Sequence, residues 1–157
     1  MYRNILVPYD GSDPANKALA AAIDLGAGPD AITITVLLVS NVDDAEKGSY
    51  KVAMRMAGYT VDDIAKLESL SEEYKEAARD EIRGRVSKFF EALPDNVDIK
   101  IVVKRGDPRD VICDYAKEND IDCIIMGRRG RGGIRATLGS VSTAVLRHTD
   151  LPVMVVR

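Results

Sequence analysis

The 157-residue sequence has no tryptophan, one histidine and only two cysteines, Cys113 and Cys123. Neither cysteine has a second cysteine or a histidine at the spacing that zinc sites use. We therefore expect two reduced, buried thiols rather than a metal centre. The single histidine, His148, falls near the end of the last predicted helix. Because a cation there complements the helix dipole, a structural role is favoured over a catalytic one.

Long apolar runs and a surplus of positive charge are also missing. No run approaches the ~18 residues needed to cross a bilayer, and no cleavable apolar segment precedes the first strand-like run. The formal net charge of −3 gives no electrostatic reason to expect DNA or RNA, whose binding proteins usually carry a basic surplus. The sequence thus predicts a cytoplasmic protein without membrane or nucleic-acid partners, and its length fits one domain, residues 1–157.

Short runs rich in β-branched residues recur along the chain. Most are nearly continuous in Ile, Leu and Val, which is typical of strands buried on both faces of a parallel sheet. One run alternates, with Asp98 and Lys100 between apolar neighbours, and this predicts an edge strand. The five runs are Asn4–Val7, Ile32–Val39, Val97–Lys104, Ile121–Met126 and Val153–Val156.

Helix signals lie between these runs. Asp13-Pro14 and Asp107-Pro108 each offer a capping aspartate followed by a proline at the first helical position. Ser69 fits a capping box for a third helix that runs to Pro94, and a last helix follows Gly139. The predicted inner face of the third helix comprises Leu70, Tyr74, Ala78, Ile82, Phe89 and Leu93.

Strands that alternate with helices predict an α/β fold with right-handed crossovers. Residues 41–66 have no clear pattern. We expect a solvated connector or weak helix there, and the alternative is a lid or a partner surface.

A glycine-rich loop, Gly127–Ser140, follows the fourth run. Four glycines within Gly127–Gly133 let backbone N–H groups approach an anion, and the next helix adds its N-terminal N–H groups and dipole. The Ser140 hydroxyl can donate to a phosphate oxygen. This pattern predicts a polyphosphate site; the alternative is a solvated loop that binds nothing. Four arginines add positive charge: Arg128, Arg129, Arg131 and Arg135.

The first run ends at Pro8–Ser12, and ligands of open α/β sheets lie at such carboxyl ends. Asp10 can accept hydrogen bonds from an adenosine, or it can be a turn residue that helps to cap the first helix. Two familiar phosphate motifs fit worse. The chain has no Gly-Lys-Ser/Thr, and the glycine cluster follows the fourth strand rather than the first, where a dinucleotide fingerprint belongs.

Several motifs in order resemble the universal stress protein family, and they cover nearly the whole chain except residues 41–66. The resemblance implies an adenine nucleotide alpha hydrolase-like fold: an open five-stranded parallel sheet of order 3-2-1-4-5 with helices on both faces. It also implies a homodimer through the C-terminal strand, which would cover an apolar edge. The motifs are Asn4–Ser12, Gly106–Pro108, Ile124–Gly130, Gly139–Ser142 and Leu151–Val156.

The ATP-binding branch of that family carries Gly-x2-Gly-x9-Gly-Ser/Thr, so the resemblance implies ATP. From the residues themselves, Asp10 and Asp13 are the candidate ligands of an Mg²⁺ that accompanies the phosphates. Here eight residues, not nine, separate Gly130 from Gly139, and Arg128 stands where a small hydroxyl residue is common. The implied phosphate contacts are Gly127, Arg128, Gly130, Gly139, Ser140 and the Val141 amide. The implied adenosine contacts are Pro8, Tyr9, Asp10, Met126 and, at the adenine edge, the Val39 backbone.

Three functions remain open from the sequence. The leading prediction is an ATP-binding stress or regulatory protein that acts as a homodimer. The second is an enzyme, a slow ATPase or a nucleotidyl-transferring relative, although no His-x-Gly-His signature is present. The third is a dimer of the same family that binds no nucleotide and acts through protein contacts, for which the shortened loop is the best support.

Overall fold

The five predicted strands form one parallel sheet in the order β3-β2-β1-β4-β5, which confirms the predicted fold. A computed structural model describes residues 2–40, 71–91, 93–130 and 138–157. The expectations for residues 41–66 and for a helix start at Ser69 lie outside these ranges. In chain order the elements are β1 (Asn4–Pro8), α1 (Asp13–Leu25), β2 (Ile32–Ser40), α2 (Ser71–Phe90), β3 (Val97–Arg105), α3 (Pro108–Glu118), β4 (Cys123–Gly127), α4 (Ser140–His148) and β5 (Val153–Val156).

Helices cover both faces of the sheet, and the strands bury side chains on each. Along β1, Ile5 and Val7 pack with α1 and α2, whereas Leu6 packs with α3 and α4 on the opposite face. This alternation between two covered faces explains the nearly continuous apolar runs of the central strands. Val86 of α2, which the predicted inner face omits, is completely buried in the first cluster.

The two cysteines lie on opposite faces of the sheet. Cys113 of α3 belongs to the cluster beneath α3 and α4, and Cys123 of β4 belongs to the cluster beneath α1 and α2. Both are free and buried, as predicted, and burial raises the pKa of each thiol above its ordinary value. None of the helices in the described ranges combines the length and the apolar character that spanning a bilayer requires.

Two helix starts show which residue caps. The predicted cap Asp13 is wrong: Ser12 is the N-cap of α1, its hydroxyl accepts the Ala15 N–H at 3.3 Å, and Asp13 lies in the first turn. Ser12 is the N-cap because it is the last residue before the helix with extended backbone angles. Asp107 does cap α3 as predicted, since its carboxylate accepts the Arg109 N–H at 2.8 Å. The Arg109 guanidinium also holds the pKa of Asp107 at about 2.

Several element ends also differ from prediction: the first four strands each end one residue later than predicted, at Pro8, Ser40, Arg105 and Gly127. β4 begins at Cys123 rather than Ile121. Just before it, Asp122 still donates its backbone N–H to Asn4 O at 2.9 Å, and its carboxylate accepts the N–H groups of Arg3 and Asn4, both at 2.8 Å. The hydrogen bond from the Asn4 N–H has the larger effect and that from the Arg3 N–H the smaller; both lower the pKa of the Asp122 carboxyl. α2 ends at Phe90, before the predicted stop at Pro94.

One side chain joins the two connections at the amino ends of β2 and β3. The Asn96 amide nitrogen lies 2.8 Å from Gly26 O, 2.9 Å from Gly28 O and 2.7 Å from Asp30 O. The backbone carbonyl oxygen of Asn96 also accepts the Ile32 N–H at 2.8 Å. Asn96 therefore holds the turn after α1 against the turn before β3.

We expect Asn96→Asp to lower the free energy of unfolding at neutral pH by about 2–3 kcal/mol, because a carboxylate would then face three carbonyl oxygens without a donor. Urea denaturation measures this loss. The matched control is Asn119→Asp, whose amide donates to one exposed carbonyl, Tyr115 O, at 2.9 Å, and which should cost less than about 1 kcal/mol. Equal losses in the two variants would contradict the role of Asn96.

Candidate functional site

The direction in which successive strands are added to the sheet reverses at β1, and the candidate site lies at that point. From β1 it winds outward through β2 and β3, then returns to the other side of β1 as β4 and β5. Such a reversal opens a crevice at the carboxyl ends of the two central strands, where open α/β proteins bind ligands. The turn after β1 and the loop after β4 both start at this crevice.

Asp10 connects those two segments. Its Oδ1 accepts the Ser12 N–H at 2.9 Å, so the carboxylate orders the turn before α1, one of the two roles considered from sequence. Its Oδ2 reaches the glycine loop, because a Cβ added to Gly130 would overlap that oxygen. Gly130 thus leaves the space into which Asp10 points.

Arg128 holds together the elements around the loop. Its N–H donates to Val156 O at 2.8 Å and thereby extends the β4–β5 pairing by one bond. Its carbonyl accepts the Gly139 N–H at 3.0 Å, so residues 128 and 139 meet although ten residues separate them along the sequence. The loop is therefore closed at its base, and α4 starts beside the end of β4.

The first turn of α4 presents backbone N–H groups. Its N-cap, Gly139, has extended angles and no capping side chain, and no acidic residue lies in the first turn. Thr143 is the first residue whose N–H returns to the cap, donating to Gly139 O at 2.9 Å. Ser140 is exposed at this end. A helix start of this kind, with its positive dipole end, favours an anion.

Gly127 has a packing role in the structure. A Cβ at this position would lie 2.6 Å from Pro14 Cβ and 2.7 Å from the Pro14 backbone carbon. The start of α1 can approach the end of β4 only because Gly127 has no side chain. Its assignment to phosphate binding stays a prediction beside this structural reason.

The adenosine candidates lie on both sides of the sheet. Met126 and Val39 belong to the face covered by α3 and α4, and Pro8 is half-buried at the end of β1. The Tyr9 side chain instead packs on the α1 face, where its hydroxyl donates to Asn16 Oδ1 at 2.7 Å. Tyr9 can therefore approach a ligand beside Met126 through its backbone, not through its ring.

The peptide groups of Val39 face the crevice. Thr33 donates its N–H to Arg3 O and Leu37 accepts the Tyr9 N–H, so alternate residues of β2 direct their backbone groups toward β1. Val39 continues this alternation. Because β1 ends at Pro8, opposite Leu37, the Val39 N–H and C=O point past the end of β1.

Not every predicted residue can be placed. Arg131 and Arg135 lie outside the described ranges, whereas Arg128 and Arg129 lie half-buried at the start of the loop. Among the described residues, no three of His, Cys, Asp and Glu group as metal ligands would. The prediction from sequence also omitted Ser142, a buried serine of α4 that contacts the start of the loop. Its position on the apolar side of the predicted helix was the signal that could have indicated it.

This fold, with a closed glycine loop at its switch point, defines an open α/β protein with a ligand crevice. The profile of the Universal stress protein family matches residues 1–157, and the chain belongs to that family. Universal stress protein Sll1388 from Synechocystis is 34% identical over 157 residues, covering 99% of this chain and 98% of the relative. Universal stress protein YxiE from Bacillus subtilis is 29% identical over the full length of both chains.

Solved structures agree on the fold. Universal stress protein UspA from Lactobacillus plantarum superimposes with a TM-score of 0.71 at 27% identity, covering 99% of this chain and 98% of that one. A universal stress protein in complex with cAMP has a TM-score of 0.61 at 21% identity. A family protein from Arabidopsis thaliana with AMP bound has a TM-score of 0.57 at 17% identity. At these last two identities the likeness establishes the fold alone.

We expect Gly127→Ala to lower the free energy of unfolding by about 2–3 kcal/mol, because its methyl group would overlap the Pro14 backbone. Urea denaturation provides the measurement. Gly84→Ala is the matched control: nothing lies within 4 Å of its added Cβ, and the change should stabilise α2 by about 0.5–1 kcal/mol. A Gly127→Ala protein as stable as the wild type would show that α1 does not need this close approach.

Proposed function

We propose that the protein binds ATP in the crevice between the Asp10 turn and the glycine loop. The observation that carries the proposal is the closure of that loop at Arg128 and Gly139, which leaves the uncapped start of α4 beside the end of β4. Phosphates would contact Gly127, Arg128, Gly130, Gly139, Ser140 and the Val141 amide, the residues already assigned to them from sequence.

The crevice suits such a ligand in shape and charge. Gly130 keeps the loop backbone close to Asp10 without a side chain between them. Arg128 and Arg129, at the start of the loop, would offset the negative charge of phosphates, and the dipole of α4 would act in the same direction. The Asp10 carboxylate points into the space that Gly130 leaves, so an accompanying Mg²⁺, which would neutralise phosphate charge, would be held there.

The adenosine would lie on the β2 side of the crevice. Pro8, the Tyr9 backbone, Asp10 and Met126 would border it, and the Val39 N–H and C=O would serve as donor and acceptor for the adenine edge. Two proteins of the same fold hold adenine nucleotides, cAMP in one and AMP in the other. This supports an adenine nucleotide as the ligand class, and ATP is the finer proposal.

The test is titration calorimetry of ATP. The wild type should bind, and Gly130→Ala should raise the dissociation constant at least tenfold, about 1.4 kcal/mol, because the methyl group would displace Asp10 from the loop. The matched control is Gly28→Ala, where an added Cβ meets nothing within 4 Å, and its affinity should stay within about twofold of the wild type. Absence of ATP binding by the wild type would refute the proposal.

We also propose a homodimer formed through β5, with a stress-response or regulatory role for the nucleotide-bound dimer in keeping with its family. The two edges of the sheet differ. β3 exposes Asp98, Lys100 and Lys104, charges that discourage pairing, whereas β5 is uncharged and exposes Met154. An uncharged edge strand is the one that a second copy would cover.

We expect Met154→Lys to weaken dimerisation at least tenfold, because a charge would be buried in the strand interface. Sedimentation velocity across a concentration series measures this effect. Leu25→Lys is the control: it places the same charge on an exposed apolar residue of α1 and should leave the association unchanged. A wild type that sediments as a monomer throughout the series would contradict the dimer.

A further inference from the structure

Ser142 is a polar residue in an apolar place. Among the described residues only Ser142 and Thr35 are polar and buried, and Ser142 is 2% exposed. It lies in α4 three residues before Val145, which belongs to the core cluster on that face. A hydroxyl that is buried without a partner costs free energy, so its contacts explain its presence.

Those contacts are two successive backbone carbonyl oxygens at the end of β4, those of Gly127 and Arg128. Ser142 Oγ lies 3.1 Å from Gly127 O and 3.3 Å from Arg128 O. Its single hydrogen is shared between two acceptors, one of which also accepts the Gly139 N–H. Both ends of the loop are thereby joined to the first turn of α4.

The Gly127 carbonyl lies where the sheet opens. Ile124 and Arg128 donate their N–H groups to β5, so the intervening odd-numbered residues of β4 direct their backbone groups toward β1. The pairing of β1 with β4 comprises Ile5 with Cys123 and Leu6 with Ile124. Gly127 is beyond that pairing, at the carboxyl end of β4, and Ser142 reaches its carbonyl from α4.

We propose that Ser142 is a positioning residue for phosphate binding, and this inference rests on the proposed ATP site. By donating to the carbonyls of Gly127 and Arg128, the hydroxyl sets the distance and direction of the Ser140 and Val141 N–H groups relative to the loop. Without the Ser142 hydroxyl, one described hydrogen bond still joins the start of α4 to Arg128, the bond from the Gly139 N–H to Arg128 O. The phosphate contacts would lose their geometry, whereas the adenosine contacts on the β2 side would keep theirs.

The experiment compares ATP with adenosine by titration calorimetry. Ser142→Ala should raise the ATP dissociation constant about five- to thirtyfold, as expected for the loss of one buried hydrogen bond, while adenosine affinity stays within about twofold. Ser142→Cys, which keeps the volume but donates weakly, should shift ATP in the same direction. Ser87→Ala is the matched control, because its exposed hydroxyl donates to Gly84 O at 2.8 Å in α2, away from the crevice.

The outcomes separate this inference from the function on which it rests. If the wild type binds ATP and Ser142→Ala binds ATP and adenosine as the wild type does, the positioning role is refuted and the ATP site stands. Equal weakening of ATP and adenosine would also refute it, since that pattern indicates a general loss of structure, which thermal unfolding of each variant detects independently. If the wild type does not bind ATP, both proposals fail.

Discussion

The peptide bond that joins Gly127 to Arg128 is where the main parts of the molecule meet. Its N–H, that of Arg128, pairs with Val156 of the edge strand β5, and its carbonyl, that of Gly127, accepts the Ser142 hydroxyl. The next carbonyl, Arg128 O, accepts the Gly139 N–H. These bonds fix Arg128 and Gly139, the two ends of the loop, relative to each other. They also hold the start of α4 beside the end of β4.

Small side chains allow the other wall of the crevice to form. Helix α1 buries small residues against the sheet: Ala15, Ala18 and Ala22. Pro14 lies so close to Gly127 that a side chain at position 127 would overlap it. The start of α1 is consequently drawn over the end of β4. The Ser12 cap and the Asp10 turn immediately precede that start, and Asp10 reaches Gly130 as a result of this packing.

Much of the fold was predictable because burial on two faces leaves a direct record in the sequence. The strands appeared as continuous apolar runs, and the charged alternation of Asp98 and Lys100 indicated an edge, which the strand order confirms. The order of strands needed the family resemblance, since local patterns do not specify which strands are neighbours. Boundaries failed where backbone bonding continues beyond the regular ladder, as at Asp122, whose N–H still donates to Asn4 O, or where two adjacent residues can both cap, as at Ser12 and Asp13. The bond partners of Ser142 were beyond prediction, because they depend on how far α4 lies from the end of β4.

The separation of the core into two clusters has a chemical consequence for the thiols. Cys113 and Cys123 stand ten positions apart in sequence, a spacing at which a disulfide would be easy to close in a flexible chain. In the folded protein the strand layer lies between their side chains, since each belongs to the cluster on its own face. A disulfide requires Cα atoms within about 7 Å and Cβ atoms that point toward each other. The native fold thus prevents an internal disulfide: a bridge between these two cysteines requires the sheet to come apart first.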